Sequence, residues 1–231
     1  MIATDRFVHI HLHKSGGTFV NECLLRFFPN ARQLGYHLPR SRIPTELAEL
    51  PVLGFVRNPW SYYVSWYAFQ SERPQPNALF RCMSEEGTLG FNVTIRNLLT
   101  LGDADGKLET LLPLLPEAYA NRGLNLPAFA LAPIRDSGLG FYSYLCRYMY
   151  GGNSENLFVG RTENLRVDFL AFLQREKISL PVALRDFIEQ APALNTSAHD
   201  AYRDYYNDAT QRLVAERDRT LIDAFGYRYA I

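Results

Sequence analysis

Three short apolar runs divide the chain, and a helical pattern follows each of them. Residues 7–12 (FVHIHL), 51–56 (PVLGFV) and 156–160 (NLFVG) read as buried strands, since short apolar runs bounded by turn residues mark the interior of a parallel sheet. After the first, Phe19, Val20, Cys23, Leu24 and Phe27 fall on one side of a helix over 17–28. After the second, a helix opens at Pro59, a residue tolerated in a first turn, with Trp60, Tyr63, Val64, Tyr67 and Ala68 at helical spacing. After the third, the pattern predicts a helix over 167–174. Further helices are predicted over 77–83, 91–99, 140–150 and 180–190, with one or two turns over 45–50 capped by Thr45. A last helix, capped by Asp208, sets Leu213, Val214, Leu221, Ile222 and Phe225 on one apolar face. Residues 29–43 read as loop with a short strand, and 111–140, broken by Pro113, Pro116, Pro127 and Pro133, give no clear element.

Strands alternating with helices predict an α/β fold: a single domain over 1–231 with a central, mainly parallel sheet flanked by helices. Residues 71–135 read as an insertion for acceptor recognition, because such loops commonly carry specificity.

Composition narrows the function classes. The chain has 231 residues, 47% of them hydrophobic, enough for one good core. Lys+Arg and Asp+Glu both number 24, and this zero balance argues against a globally basic nucleic-acid binder. The three cysteines (Cys23, Cys82, Cys146) are far apart and lack metal-ligand spacing, which points to reduced thiols rather than a disulfide scaffold or zinc site. There is no signal-peptide pattern and no apolar stretch of membrane-spanning length, so the expectation is a non-exported, cytoplasmic chain without a membrane span. The tyrosines, clustered around 60–69, 141–150 and 202–206, are expected mostly to pack, with one or two lining an acceptor groove.

Candidate chemistry begins where the first strand ends. Lys14-Ser15-Gly16-Gly17-Thr18 leads straight into the first helix. Strand, glycine turn and helix N-terminus form the geometry that binds phosphate, and Lys14 adds a full positive charge, so a P-loop-like nucleotide-binding core is expected. An ATP or GTP loop would carry its lysine after the glycines and an acid at the end of the second strand. Here Lys14 precedes Gly16, the second strand ends in Arg57, and no GxGxxG dinucleotide motif is present, so no metal is expected. A small-molecule kinase and a nucleotide-binding module without catalysis are the rival readings. Magnesium dependence with ATP turnover would mark the first, and bisphosphate binding without any transfer the second.

The order of these residues resembles the 5′-phosphosulfate loop of sulfotransferases that use 3′-phosphoadenosine 5′-phosphosulfate (PAPS). The segment Val56-Arg57-Asn58-Pro59-Trp60-Ser61-Tyr62-Tyr63-Val64-Ser65-Trp66-Tyr67 resembles their 3′-phosphate element, in which a strand-end arginine and a serine eight positions on grip the phosphate. These are Arg57 and Ser65, and the spacing puts the serine about two turns into the next helix. The resemblance continues through Arg161-Thr162-Glu163-Asn164-Leu165, Asn195-Thr196-Ser197 and Phe225-Gly226-Tyr227, and leaves 71–135 unmatched. Within that superfamily, His11-Leu12-His13-Lys14 is similar to the lead-in of the carbohydrate branch that includes heparan sulfate 6-O- and 2-O-sulfotransferases, with His13 a departure. Leu34-Gly35-Tyr36-His37 resembles the segment that carries their catalytic histidine.

The resemblance implies an enzyme of bacterial, soluble type that moves a sulfuryl group in line from PAPS to an acceptor hydroxyl, on a carbohydrate or small molecule. Lys14 would neutralise charge on the leaving bisphosphate. Ser15, Gly16, Gly17 and Thr18 would hold the 5′-phosphate, and Arg57, Ser65, Thr196 and Ser197 would complete the nucleotide site. His37 would be the base, with an ordinary pKa of roughly 6.5 suited to that work. His13, His199 and Glu163 are the other candidates, and His9 and His11, alternating along a strand, read as packed or supporting groups.

Overall fold

The computed structural model describes residues 1–152, 154–192 and 201–229. Its contacts group the described parts of Met1–Arg57 and Met149–Thr196 into one compact unit, and those of Asn58–Tyr148 and Ser197–Ile231 into another.

The first unit holds a five-stranded mixed sheet in the order β3-β1-β2-β4-β5: β1 Ile2–Ala3, β2 Val8–His9, β3 Arg32–Gln33, β4 Val52–Val56 and β5 Leu157–Arg161. The three strands predicted from apolar runs are the parallel ones. Val8 pairs with Val52, and β4 and β5 run in register from Val52↔Leu157 to Val56↔Arg161. The other half is antiparallel, β1 pairing with both β2 and β3, so the sheet is mixed rather than mainly parallel. Two-residue strands are too short for a period-2 signal, which hides β1 from a sequence reading.

β2 is brief because the chain must leave the sheet to make the glycine loop. Ile10 N–H still donates to Leu53 (2.9 Å). One step further along β4, the Tyr150 hydroxyl accepts from Phe55 N–H (3.0 Å) and donates to Phe55 C=O (2.7 Å). Its ring lies on Gly54, where a Cβ would collide with it.

Helix α1 (Gly17–Phe27) and the helices Leu165–Arg175 and Val182–Gln190 pack one apolar face each into a core with the sheet, leaving Leu25, Val167 and Val182 exposed: Phe7, Val20, Phe55, Phe169 and Phe172 are all within 1% of full burial. Phe7 meets Phe172 edge-on at 5.0 Å. Each such side chain contributes about 1.5–3 kcal/mol on burial. The turn at Thr45–Leu47 is a 3-10 helix that Thr45 enters rather than caps, since Pro44 holds the cap position.

The second unit is helical. α2 (Pro59–Ser71) starts as its sequence predicts: the Asn58 side chain accepts from Trp60 N–H (3.1 Å) and Pro59 takes the first position. It carries no single apolar stripe, because Trp60, Tyr62, Tyr63, Val64, Ser65, Trp66 and Ala68 are all buried. Ala78–Ser84, Phe91–Leu99 and Phe141–Tyr150 are helical at the predicted places. The region over 111–140 proves to be short helical turns, Ala128–Leu131 and two 3-10 segments among them, each 3-10 segment with a proline at its start.

Two expectations fail at the C-terminal end. Asn207, not Asp208, is the cap, accepting from Thr210 N–H (2.8 Å). The last helix also divides at Asp218 into Asp208–Arg217 and Arg219–Phe225. Asp218 is fully buried and accepts from the Tyr63 hydroxyl (2.7 Å) and Ser143 N–H (2.9 Å), and the Tyr63 oxygen accepts from Tyr142 N–H (3.1 Å). The carboxylate and the Tyr63 oxygen thus satisfy one first-turn donor each of Phe141–Tyr150. Burial holds its pKa above the usual carboxylate range, although these hydrogen bonds oppose the shift.

Candidate functional site

β2 ends, the chain passes through Lys14 to Gly16, and α1 begins at Gly17. Two of these loop residues sit in the left-handed region: Lys14 at φ 56° and Gly16 at φ 75°. Glycine accepts that conformation readily and lysine does not, so the Lys14 backbone is strained in the way that loops at functional sites often are. Gly16 and Gly17 are also needed for space. A Cβ on Gly16 would strike the Leu165 side chain, and one on Gly17 would strike the His11 ring. No side chain caps α1. Its first turn therefore offers backbone N–H groups with no intrahelical partner, at the positive end of the helix dipole.

The hydroxyls of the motif divide. Ser15 is buried and donates to His13 C=O (3.2 Å), whereas Thr18 is exposed. Arg57, directly after β4, points its guanidinium at the loop and reaches the Lys14 carbonyl at 3.5 Å. Lys14 and Arg57 are thus brought to one place, at the carboxyl ends of adjacent parallel strands, where open α/β sheets bind ligands. Arg161 ends β5 in register with Val56, a third cation on the same edge that the sequence reading left without a role.

His37 comes to this loop from a distant part of the sequence. It too is left-handed, at φ 47°, and buried at 4% exposure. Its Nδ1 lies 2.6 Å from the His11 carbonyl. A carbonyl oxygen only accepts, so Nδ1 carries the proton, and a neutral ring has its lone pair on Nε2. His13 stacks on the same ring with centroids 3.6 Å apart, and His11 meets it edge-on at 4.4 Å. Tyr36, one of the exposed large side chains, stands edge-on at 4.1 Å.

Burial dominates the electrostatics. It holds His37 down to about 4, with the bond to the His11 carbonyl opposing the shift, and His9 down to about 3. His11 is also well below its ordinary value, by burial first and then by its neighbour His37. At neutral pH these three rings are uncharged, the form in which a histidine accepts a proton.

Sequence reasoning undervalued His11 and missed Asn21. The Asn21 side chain lies between His9 and His11, its oxygen 3.1 Å from His9 Nδ1 and its nitrogen 3.1 Å from His11 Nδ1. A signal existed: alternate histidines share one strand face, and the helix that returns over that face must bring a polar group. Ser65 is in the second unit, fully buried, two turns into α2. Glu163 is exposed, in the 3-10 turn after β5. Thr196, Ser197 and His199 lie outside the described residues.

Among the described residues no group of three or more His, Cys, Asp or Glu side chains is arranged to hold a metal ion, and no helix is long and apolar enough to cross a membrane. Searches with protein-family models and of curated proteins found no match to this chain.

Proposed function

We propose that the chain is a PAPS-dependent O-sulfotransferase built on a P-loop-like core, with a hydroxyl of a carbohydrate or small molecule as acceptor. The observation that carries this reading is the meeting, in one unit, of the uncapped α1 start behind Lys14, Gly16 and Gly17, the Arg57 guanidinium on Lys14, and the neutral His37 ring beside the loop. The donor set suits a phosphosulfate: two cations, main-chain N–H groups, and two glycines packed so closely on Leu165 and His11 that no side chain fits there.

When bound, PAPS supplies an activated sulfuryl group on a good leaving group. The chain's own part is positioning and neutralisation of charge, as in phosphoryl transfer. Main-chain N–H groups at Gly17 and Thr18 fix the 5′-phosphate, and Lys14 stabilises charge growing on the departing oxygen. Arg57 anchors the second phosphate. Ser65 is the residue that the sequence resemblance pairs with Arg57. His37 takes the acceptor proton on Nε2, because Nδ1 is already engaged with His11.

The test is calorimetry with adenosine 3′,5′-bisphosphate, followed by radiolabel transfer from PAPS across a panel of sugars, phenols and alcohols. Binding without magnesium, transfer to at least one hydroxyl, and weaker bisphosphate affinity in Arg57→Ala are expected. Magnesium-dependent ATP turnover with no bisphosphate binding would replace this reading with a kinase.

A further inference from the structure

A side-chain amide has one face that only accepts and one that only donates, and Asn21 uses both on histidines. Its oxygen lies 3.1 Å from His9 Nδ1, so His9 holds its proton there. Its nitrogen lies 3.1 Å from His11 Nδ1, so that atom is bare and the His11 proton is on Nε2. Reversing the amide would exchange the two assignments without ending the alternation: one Asn21 cannot serve two rings of the same tautomer.

The consequence reaches the loop. The Cδ2 side of the His11 ring, flanked by Cγ and Nε2, lies against Gly17, the first residue of α1. The tautomer thus sets whether the ring edge beside the loop carries an N–H or a lone pair. The same residue's carbonyl holds His37 Nδ1–H, and its ring braces His37 edge-on. We infer that Asn21 is a positioning residue that fixes the proton positions of the strand histidines, so that His11 carries its proton on Nε2, on the ring edge beside Gly17, and His37 is held with Nε2 bare. The catalytic meaning of this arrangement rests on the sulfotransferase reading; the proton positions do not. The groups that face these rings are His13 and Tyr36 on His37, the three histidines on one another, and the Met1 amine, which opposes a positive charge on each of His9, His11 and His37.

Nitrogen-15 NMR of the whole chain tests the inference directly. In the wild type, His9 and His37 are expected as Nδ1–H tautomers and His11 as Nε2–H. Asn21→Asp, nearly the same size but accepting on both sides, is expected to draw a proton onto His11 Nδ1, so that His11 leaves the Nε2–H form. The pH profile of transfer should move with it, and the rate should fall by about 10–100-fold, the loss typical when the hydrogen bond behind a metal-ligating histidine is removed. A wild-type spectrum with His9 and His11 in one tautomer, or an Asn21→Asp spectrum that keeps the wild-type pattern, overturns the inference. Failure of the wild type to bind adenosine 3′,5′-bisphosphate overturns the sulfotransferase reading instead, since the tautomer measurement needs no nucleotide.

Discussion

Each unit of this chain buries a polar network, and the two are of opposite kinds. The first encloses imidazoles that stay neutral: His9, His11 and His37, tied together by Asn21 and a main-chain carbonyl. The second encloses an acid: Asp218 beneath the Tyr63 hydroxyl and Ser143 N–H. Burial pushes the histidines down and the carboxyl up, so both networks resist charging. They differ in what surrounds them. The histidines adjoin left-handed backbone at Lys14, Gly16 and His37 and a helix start without a side-chain cap. Asp218 spends its oxygens on donors that the fold itself supplies, and it ties two helix ends to a third helix. A buried polar cluster beside strained backbone is a candidate site, and one whose groups the fold satisfies is a structural joint.

The largest expected effect falls on the first network. His37→Ala should lower sulfuryl transfer by about 10²–10⁴-fold, the usual contribution of a general base, with bisphosphate affinity unchanged by calorimetry. A fully active variant would move the base to His13, His199 or Glu163 and strip the histidine network of its function. Lys14→Ala should fall at least as far as tenfold, roughly the least that loss of a leaving-group contact allows, with the circular dichroism of the wild type.

Next comes a loss of stability in the second network with no effect on the chemistry. Asp218→Ala leaves the Tyr63 hydroxyl and Ser143 N–H without their acceptor, at about 1–3 kcal/mol for each buried group. Denaturant melts should register it while bisphosphate affinity holds; a large drop in affinity would mean that Asp218 serves the site after all.

Acid should separate the networks by sign. His37 and His9 have folded values of about 4 and about 3, below the ordinary 6.5. The unfolded chain therefore binds protons first as pH falls, and stability present above pH 6.5 is lost on the way down to those values. Asp218 works the other way. Its folded pKa is raised above 3.8, so the native state takes up that proton first and acidification relieves the penalty of its burial. The melting temperature should drop between pH 6.5 and 4, less steeply in His37→Gln and more steeply in Asp218→Asn. Equal slopes in all three proteins would show that neither network governs acid stability.

The smallest effect is expected at Tyr62. Its buried hydroxyl has no hydrogen-bond partner among the described residues, so Tyr62→Phe should raise stability, by about 1 kcal/mol.

The sequence carried the parallel half of the sheet well, because the runs at 7–12, 51–56 and 156–160 are apolar, short and bounded by turn residues. It carried α2 just as well, since Asn58-Pro59 is a local signal for a helix start. What it could not carry depends on residues far apart. A charged residue inside an apolar pattern reads as surface, and Asp218 is inside only because Tyr63 and Ser143 come to it. The strand end, glycine turn and helix start around Lys14–Gly17 were legible from their order alone. The ring stack on His37 was not, since nothing local places residue 37 against residues 11 and 13.

The hydroxyl of Tyr150 fills a gap in the ladder that β2 leaves when it turns away. Phe55 is bonded there by a side chain on both its N–H and its C=O, at 3.0 and 2.7 Å. Its amide hydrogen can exchange with solvent only when that phenol lets go, so deuterium uptake at this one position times the release of a helix end rather than the parting of two strands. Tyr150→Phe would turn the slot into an open edge beside the glycine loop, and Phe55 would become one of the fastest-exchanging amides of β4 instead of one of the slowest.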